Sequence, residues 1–199
     1  IKKSNIIFIC VGTPTKKNSN AADLNQVFNV AKEISQNIKN FKIVVTKSTV
    51  PLGTGDEIEK ILKKNKSKNF TIVSNPEFLR EGDAIRDFRY PDRIIIGANS
   101  PKVFKKMKRL YQPLINKGSK FCTTSRRSAE LIKYASNAFL ATKITFIMEL
   151  ANLCEKSGIN IEDVSLGMGL DLRIGSRFLR AGPAYGGSCF PKDTKAIVS

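Results

Sequence analysis

The residues best suited to covalent chemistry stand near the end of the chain, in Gly186-Gly187-Ser188-Cys189-Phe190-Pro191-Lys192-Asp193. Two glycines ahead of Cys189 open backbone conformations closed to other residues and let a ligand approach the main chain closely. Pro191, Lys192 and Asp193 read as the first turn of a helix, which puts the thiol at a helix N-terminus beside a lysine. Both neighbours favour the thiolate, so the pattern is that of a nucleophile. The competing reading is a buried structural cysteine next to a tight turn. Cys10, Cys122 and Cys154 suit that second description, because each lies in an apolar strand or helix context and is expected in the core. The cysteines are far apart with no CxxC pair, which indicates neither a disulfide framework nor a zinc site. The chain has no histidine, so Ser-His-Asp and Cys-His activation are excluded. Catalysis would fall to Cys, Lys, Asp, Glu, Asn and Thr.

The elements that would position these groups follow from periodicity. Asn5 to Val11 is a near-continuous apolar, β-branched run ended by Gly12-Thr13-Pro14-Thr15, the pattern of a strand buried on both faces of a parallel sheet. Asp23 caps a helix whose apolar face is Leu24, Val27, Phe28, Ala31, Ile34 and Ile38. Lys42 to Thr46 is a second buried strand, and Ser48 to Thr54 a loop leading to a helix near Asp56 to Lys64. Phe70 to Val73, Arg93 to Gly97 and Lys120 to Thr123 are further strands, with a helix over Pro101 to Leu110. Strands alternating with helices imply an α/β fold with a doubly wound parallel sheet. Such sheets bind ligands at loops beyond the carboxyl ends of their strands. The loops there, Gly12 to Thr15, Ser48 to Thr54 and Asn75 to Gly82, are all rich in polar residues.

From Ser125 to about Lys156 the period is helical, with Leu131, Ala135, Ala138, Phe139, Thr142, Phe146, Leu150 and Leu153 at three- and four-residue steps. That is a helix of roughly 30 residues, about 45 Å long, ending at Gly158. A helix so long and apolar forms a spine between domains or a subunit interface, and a homodimer through it is expected. Lys133 and Asn137 lie four apart on it, hence on one face. A second helix near Ile161 to Gly167 and the loop Asp171 to Gly175 lead to the cysteine segment. The division implied is an α/β domain over residues 1–124 and a central all-helical domain with one long helix over residues 125–199. The chain opens almost directly on a buried strand and stops in mid-helix over Thr194 to Ser199, which reads as truncation at both ends.

A length of 199 residues and 41% hydrophobic content are ordinary for a soluble globular protein. The 34 Lys and Arg against 17 Asp and Glu leave a net charge of +17, which raises nucleic acid or anionic lipid as a partner. The excess is diffuse and lysine-dominated, however, as in Lys63-Lys64-Asn65-Lys66, and fits a small anionic ligand better than nucleic acid. No apolar run approaches the roughly 20 residues of a membrane span, and no secretory signal pattern opens the chain. A cytoplasmic protein without a membrane partner is the default.

Five segments then fall in one order: VGTPT at Val11 to Thr15, KSTVPLGT at Lys47 to Thr54, SNPEFLREG at Ser74 to Gly82, AELIKYASNAFLATKITF at Ala129 to Phe146, and GGSCFPKD at Gly186 to Asp193. In these the chain resembles the UDP-glucose/GDP-mannose dehydrogenase family. The intact EFLREG and the Cys-Phe-Pro-Lys-Asp form look most like its UDP-glucose branch. Relatives that oxidise GDP-mannose or UDP-N-acetylmannosamine by the same chemistry are the alternative. A non-catalytic nucleotide-binding or nucleic-acid-binding domain is the rival from another class.

The resemblance implies a partial Rossmann-type NAD-binding domain over residues 1–124, without the G-x-G-x-x-G turn, followed by the family's central domain. It implies NAD as cofactor, UDP-glucose as substrate and a four-electron oxidation to UDP-glucuronate. Hydride leaves C6 to give an aldehyde, Cys189 adds to form a thiohemiacetal, a second hydride transfer gives a thioester, and water hydrolyses it. Lys133 and Asn137 would stabilise the oxygen at C6, and Asp193 would hold Lys133 or a water. Glu77 would be the general base of hydrolysis, with Thr49 positioning the water. Thr13, Thr49, Glu77 and Lys192 match positions lining the NAD site. Glu77, Phe78, Leu79, Arg80, Glu81, Lys133, Asn137, Arg173, Tyr185 and Gly186 match positions that contact the sugar nucleotide, Arg173 from a partner subunit. Arg180 stands where some relatives carry a basic residue.

Overall fold

The computed structural model describes residues 1–64, 69–183, 186–187 and 190–197. Its backbone divides into two compact units, residues 1–133 and 134–199. The first unit is built on a sheet of β1 (Ile6–Ile9), β2 (Lys42–Thr46), β3 (Phe70–Ser74), β4 (Arg93–Gly97) and β5 (Lys120–Thr124), in the spatial order β1-β2-β3-β4-β5. Around it are α1 (Asn25–Asn37), α2 (Thr54–Lys64), α3 (Ala84–Arg89) and α4 (Pro101–Ile115). The 32-residue helix α5 (Arg126–Ser157) begins in this unit and runs into the second, which also holds α6 (Ile161–Gly169) and α7 (Phe190–Ile197).

Strand β2 is buried along its whole length, as a run of β-branched residues predicts. Its side chains alternate between two cores. Val44 joins Ile9, Ile72, Val27, Ala31, Ile34, Ile58 and Leu62 on the side of α1 and α2. Ile43 and Val45 join Val73, Ile94, Ile96, Val103, Met107 and Tyr111 on the side of α4. Each such fully buried aliphatic side chain contributes about 1.5–3 kcal/mol. Helices covering both faces make the sheet doubly wound, the fold class that the alternation of elements implies. Asp23 meets the start of α1 through its carboxylate, which accepts the Asn25 amide at 2.9 Å.

Several local expectations change. Within this chain β1 stands at one end of the strand order, with Phe8 exposed and Ile6 and Ile7 half-buried. The sheet is also not wholly parallel: β1, β2 and β3 run parallel, as do β4 and β5, while β3 meets β4 antiparallel at Ser74 and Gly97. A parallel return needs a crossover that covers a sheet face. Here the connection carries only the six-residue α3, which buries none of its residues and was not foreseen. Helix α4 runs past Leu110 through Pro113 to Ile115, because a proline this close to the end removes one main-chain bond without stopping the helix.

Two cysteines expected in the core are exposed: Cys10, just past β1, and Cys122, in β5, at the other end of the strand order with most of its residues outward. Cys154 is buried. Helix α5 ends before Gly158, whose φ of +66° suits the left-handed C-terminal position. The start of α5 approaches the sheet so closely that a Cβ on Gly97 would lie 2.6 Å from the Ala129 Cβ and 2.7 Å from the Ser125 carbonyl oxygen. Among the described residues, no helix is long and apolar enough to cross a membrane.

Candidate active site

In the first unit the three strand-end loops are joined by specific bonds. The Thr13 hydroxyl, after β1, donates to the Thr49 carbonyl, after β2, at 2.8 Å. Ser48 Oγ donates to the Val11 carbonyl at 2.7 Å, and the amides of Lys47 and Ser48 both reach the Ile9 carbonyl. Thr13 and Thr49 are thus brought together where a sheet of this class binds nucleotides.

After β3 the chain stays extended along β4. Asn75 is buried; its Nδ2 donates to the Ile95 carbonyl at 2.9 Å, and its Oδ1 accepts from the Tyr111 hydroxyl. Burial, with a smaller contribution from Cys10, pushes the Tyr111 hydroxyl up to about 12. Glu77 follows two residues later. One of its oxygens accepts the Leu79 amide at 2.6 Å, and the other pairs with Lys133 Nζ at 3.2 Å. The Lys133 side chain is only 4% exposed, a depth at which an unpaired ammonium would be costly. Phe78 lies under the Arg93 guanidinium at 4.0 Å, with Lys133 Nζ 5.5 Å from the same ring. Leu79 is half-buried and Glu81 exposed. Arg80 is exposed and held in-chain by Asp83 at 2.9 Å and Asp87 at 2.6 Å.

Two residues of this unit had been passed over. Lys47 Nζ lies 3.5 Å from the Pro76 carbonyl; burial pushes its ammonium down, with Glu77 the largest opposing influence. Glu130 accepts the amides of Gly53 at 2.7 Å and Gly55 at 2.8 Å. Burial raises its carboxyl above the usual range against the pull of those two amides. Both residues sit inside the motifs KSTVPLGT and AELIKYASN, next to residues that had been assigned roles. A glutamate three positions before Lys133 was the available signal, since that spacing shares a helix face.

In the second unit Asp193 is 1% exposed and accepts Asn137 Nδ2 and Lys192 Nζ, each at 2.6 Å. These two bonds satisfy a carboxylate that burial removes from water. The helical turn read for Pro191, Lys192 and Asp193 is the start of α7. Gly187 has φ +78°, a conformation other residues rarely take, and Gly186 is exposed. Cys189 and Tyr185 lie outside the described residues. Arg173 is exposed and pairs with Asp171 at 2.6 Å; Arg180 is exposed as well.

A doubly wound sheet with Thr13, Thr49 and Glu77 on the loops at its strand ends is the architecture of a nucleotide-binding domain. Residues 1–115 match the NAD binding domain of the UDP-glucose/GDP-mannose dehydrogenase family, and residues 127–199 its central domain. The chain belongs to that family. It is 56% identical over 201 residues to a UDP-glucose 6-dehydrogenase of Rhizobium meliloti, covering 100% of this chain and 46% of that protein. A UDP-glucose dehydrogenase from the hyperthermophilic archaeon Pyrobaculum islandicum superposes with a TM-score of 0.92 at 40% identity, over 98% of this chain and 45% of that one. A GDP-mannose dehydrogenase from Pseudomonas aeruginosa gives 0.80 at 33% identity, over 98% and 46%. The chain spans somewhat under half the length of these relatives.

Proposed function

We propose that the protein to which this chain belongs oxidises UDP-glucose to UDP-glucuronate with NAD, in the cytoplasm, and that the chain supplies the reacting side chains. The observation that carries this reading is the pairing of Glu77, from the EFLREG segment, with the buried Lys133 of α5. Two motifs far apart in sequence meet there, and the pairing of their carboxylate and ammonium supports roles as general base and cation. Thr13 and Thr49, joined at the strand ends, would hold NAD with Glu77 and Lys192; when bound, NAD accepts hydride.

The remaining roles are those the family resemblance implies. Cys189, immediately before α7 in sequence, is the nucleophile that carries the aldehyde and then the acyl group. Lys133 and Asn137 steady the developing charge on the sugar oxygen. Asp193 fixes Asn137 and Lys192 through the two bonds it accepts. Glu77 takes the proton of the hydrolytic water, and Thr49 orients that water. Phe78, Leu79, Arg80, Glu81, Tyr185 and Gly186 bind the sugar nucleotide, with Arg173 reaching it from a second subunit. Residues 1–124 and 125–199 are the two functional domains. The exposed stripe of Phe139, Phe146 and Leu153 on α5 supports a homodimer through that helix.

The test is stoichiometry in the full-length protein, with UDP-glucose, GDP-mannose and UDP-N-acetylmannosamine compared. UDP-glucose should yield two NADH per sugar, and Cys189→Ser should reduce turnover by about a thousandfold or more. One NADH per sugar, or preference for another nucleotide sugar, would overturn the assignment.

A further inference from the structure

Glu130 is 2% exposed, and its partners are main-chain amides of another element. Gly53 and Gly55, whose amides it accepts at 2.7 and 2.8 Å, flank Thr54, the first residue of α2. The opening amides of a helix have no partner within it and usually find a local Ser, Thr, Asp or Asn. Thr54 turns its hydroxyl back to the Pro51 carbonyl at 2.6 Å instead, and the acceptor for the amides comes from α5. The fit is close: Gly53 has φ +88°, and a Cβ on Gly55 would lie 3.0 Å from Glu130 Oε1.

The loop held this way is the one that carries Thr49. Its near end is tied to β1 by the Lys47 and Ser48 amides on the Ile9 carbonyl and by Ser48 Oγ on the Val11 carbonyl. Its far end is tied to α5 by Glu130. Thr49 hangs between the two anchors, with its carbonyl taking the Thr13 hydroxyl. On the same helix Arg126, one turn earlier, grips Asp56 at 2.6 Å together with Glu59, and Lys133, one turn later, grips Glu77 at 3.2 Å.

We propose that Glu130 is a positioning residue for the reaction: by clamping the amides of Gly53 and Gly55 it fixes the loop that places Thr49, and it registers that loop to the helix on which Lys133 holds Glu77. Its effect on catalysis rests on the role given to Thr49 under the dehydrogenase reading; the clamp does not. Alanine at this position would leave two helix-end amides without an acceptor. Glutamine would keep an oxygen for one amide and present an NH2 group to the other.

The experiment compares Glu130→Gln and Glu130→Ala in the full-length protein by amide hydrogen exchange and by steady-state kinetics with NAD and UDP-glucose. In Glu130→Gln, exchange at Gly53 and Gly55 should accelerate about tenfold or more while β2 and β3 stay within about twofold. The kcat should fall about tenfold, and further in Glu130→Ala, with the KM for UDP-glucose within about threefold. Pre-steady-state kinetics should show a burst of two NADH per active site followed by a slowed steady state, because Thr49 acts at hydrolysis, after both hydride transfers. Combining Glu130→Gln with Thr49→Val should lose little beyond the worse single variant, as coupled residues do. Unchanged exchange at Gly53 and Gly55 overturns the clamp whatever the enzyme does. Changed exchange with unchanged kcat, or losses that multiply in the double variant, overturns the positioning role. If Glu130→Ala does not fold, Gly55→Ala crowds the carboxylate without removing it, and an unchanged kcat there also refutes the proposal. A wild-type protein that makes no NADH from UDP-glucose would sink the dehydrogenase reading, with exchange still deciding the clamp.

Discussion

Replacing Tyr111 by phenylalanine removes one oxygen from the core and leaves its shape intact, so the effect isolates one bond. The hydroxyl donates to Asn75 Oδ1, and Asn75 is 1% exposed with its other end on the Ile95 carbonyl. In Tyr111→Phe that acceptor is left buried without a donor, a loss of about 1–3 kcal/mol. For a protein of this size each kcal/mol moves the melting midpoint by about 2–4 °C. A second signature comes from pH. The hydroxyl is held up to about 12 in the fold, principally by burial, against about 10 when unfolded. The stability attached to the protonated hydroxyl is therefore fully present below pH 10 and is lost as pH rises toward 12, at up to about 1.4 kcal/mol per pH unit. Phenylalanine has no proton to lose. The gap between wild type and Tyr111→Phe should thus be widest near pH 8 and narrow above pH 10. Groups that titrate alike in both proteins cancel in the difference. Urea unfolding at pH 8 and pH 11 measures both numbers. A gap under about 0.5 kcal/mol at pH 8, or one that stays the same at pH 11, would refute the reasoning.

In the full-length protein Lys133→Ala should lower kcat by about 10²–10³, because it removes a buried cation and strips Glu77 of its partner at 3.2 Å; turnover within threefold of wild type would contradict the role given to Lys133. For the helix interface, Phe139→Glu combined with Phe146→Glu should weaken self-association about a hundredfold or more, read by sedimentation equilibrium. A wild-type protein that is already monomeric at micromolar concentration would rule that interface out.

Much of the architecture was legible because it rests on local patterns. The β-branched run Lys42 to Thr46 can satisfy itself only when covered on both sides, and it is. The length of α5 and its end before Gly158 follow from an uninterrupted helical period and a residue tolerant of positive φ. What was not legible depends on lateral order and on bonds across the chain. The direction of β4 turns on whether the segment before it can cover a sheet face, which its composition does not reveal. Cys10 and Cys122 are exposed within this chain, where apolar neighbours in sequence predict burial. In the site, Glu77 and Lys133 were readable as motif members, but their mutual contact was not. Glu130 was missed because its partners are backbone amides, which carry no side-chain signature.

Gly97 ends β4 with Ala129, Ser125 and Arg126 pressed against the place where a side chain would be. Even alanine would have to push the first turns of α5 off the sheet, and Arg126, Glu130 and Lys133 would move with them. The position is therefore closed to a larger side chain for a reason unrelated to turns or chemistry. A single methyl group there would shift the Arg126 and Glu130 anchors and the buried Lys133 in one step.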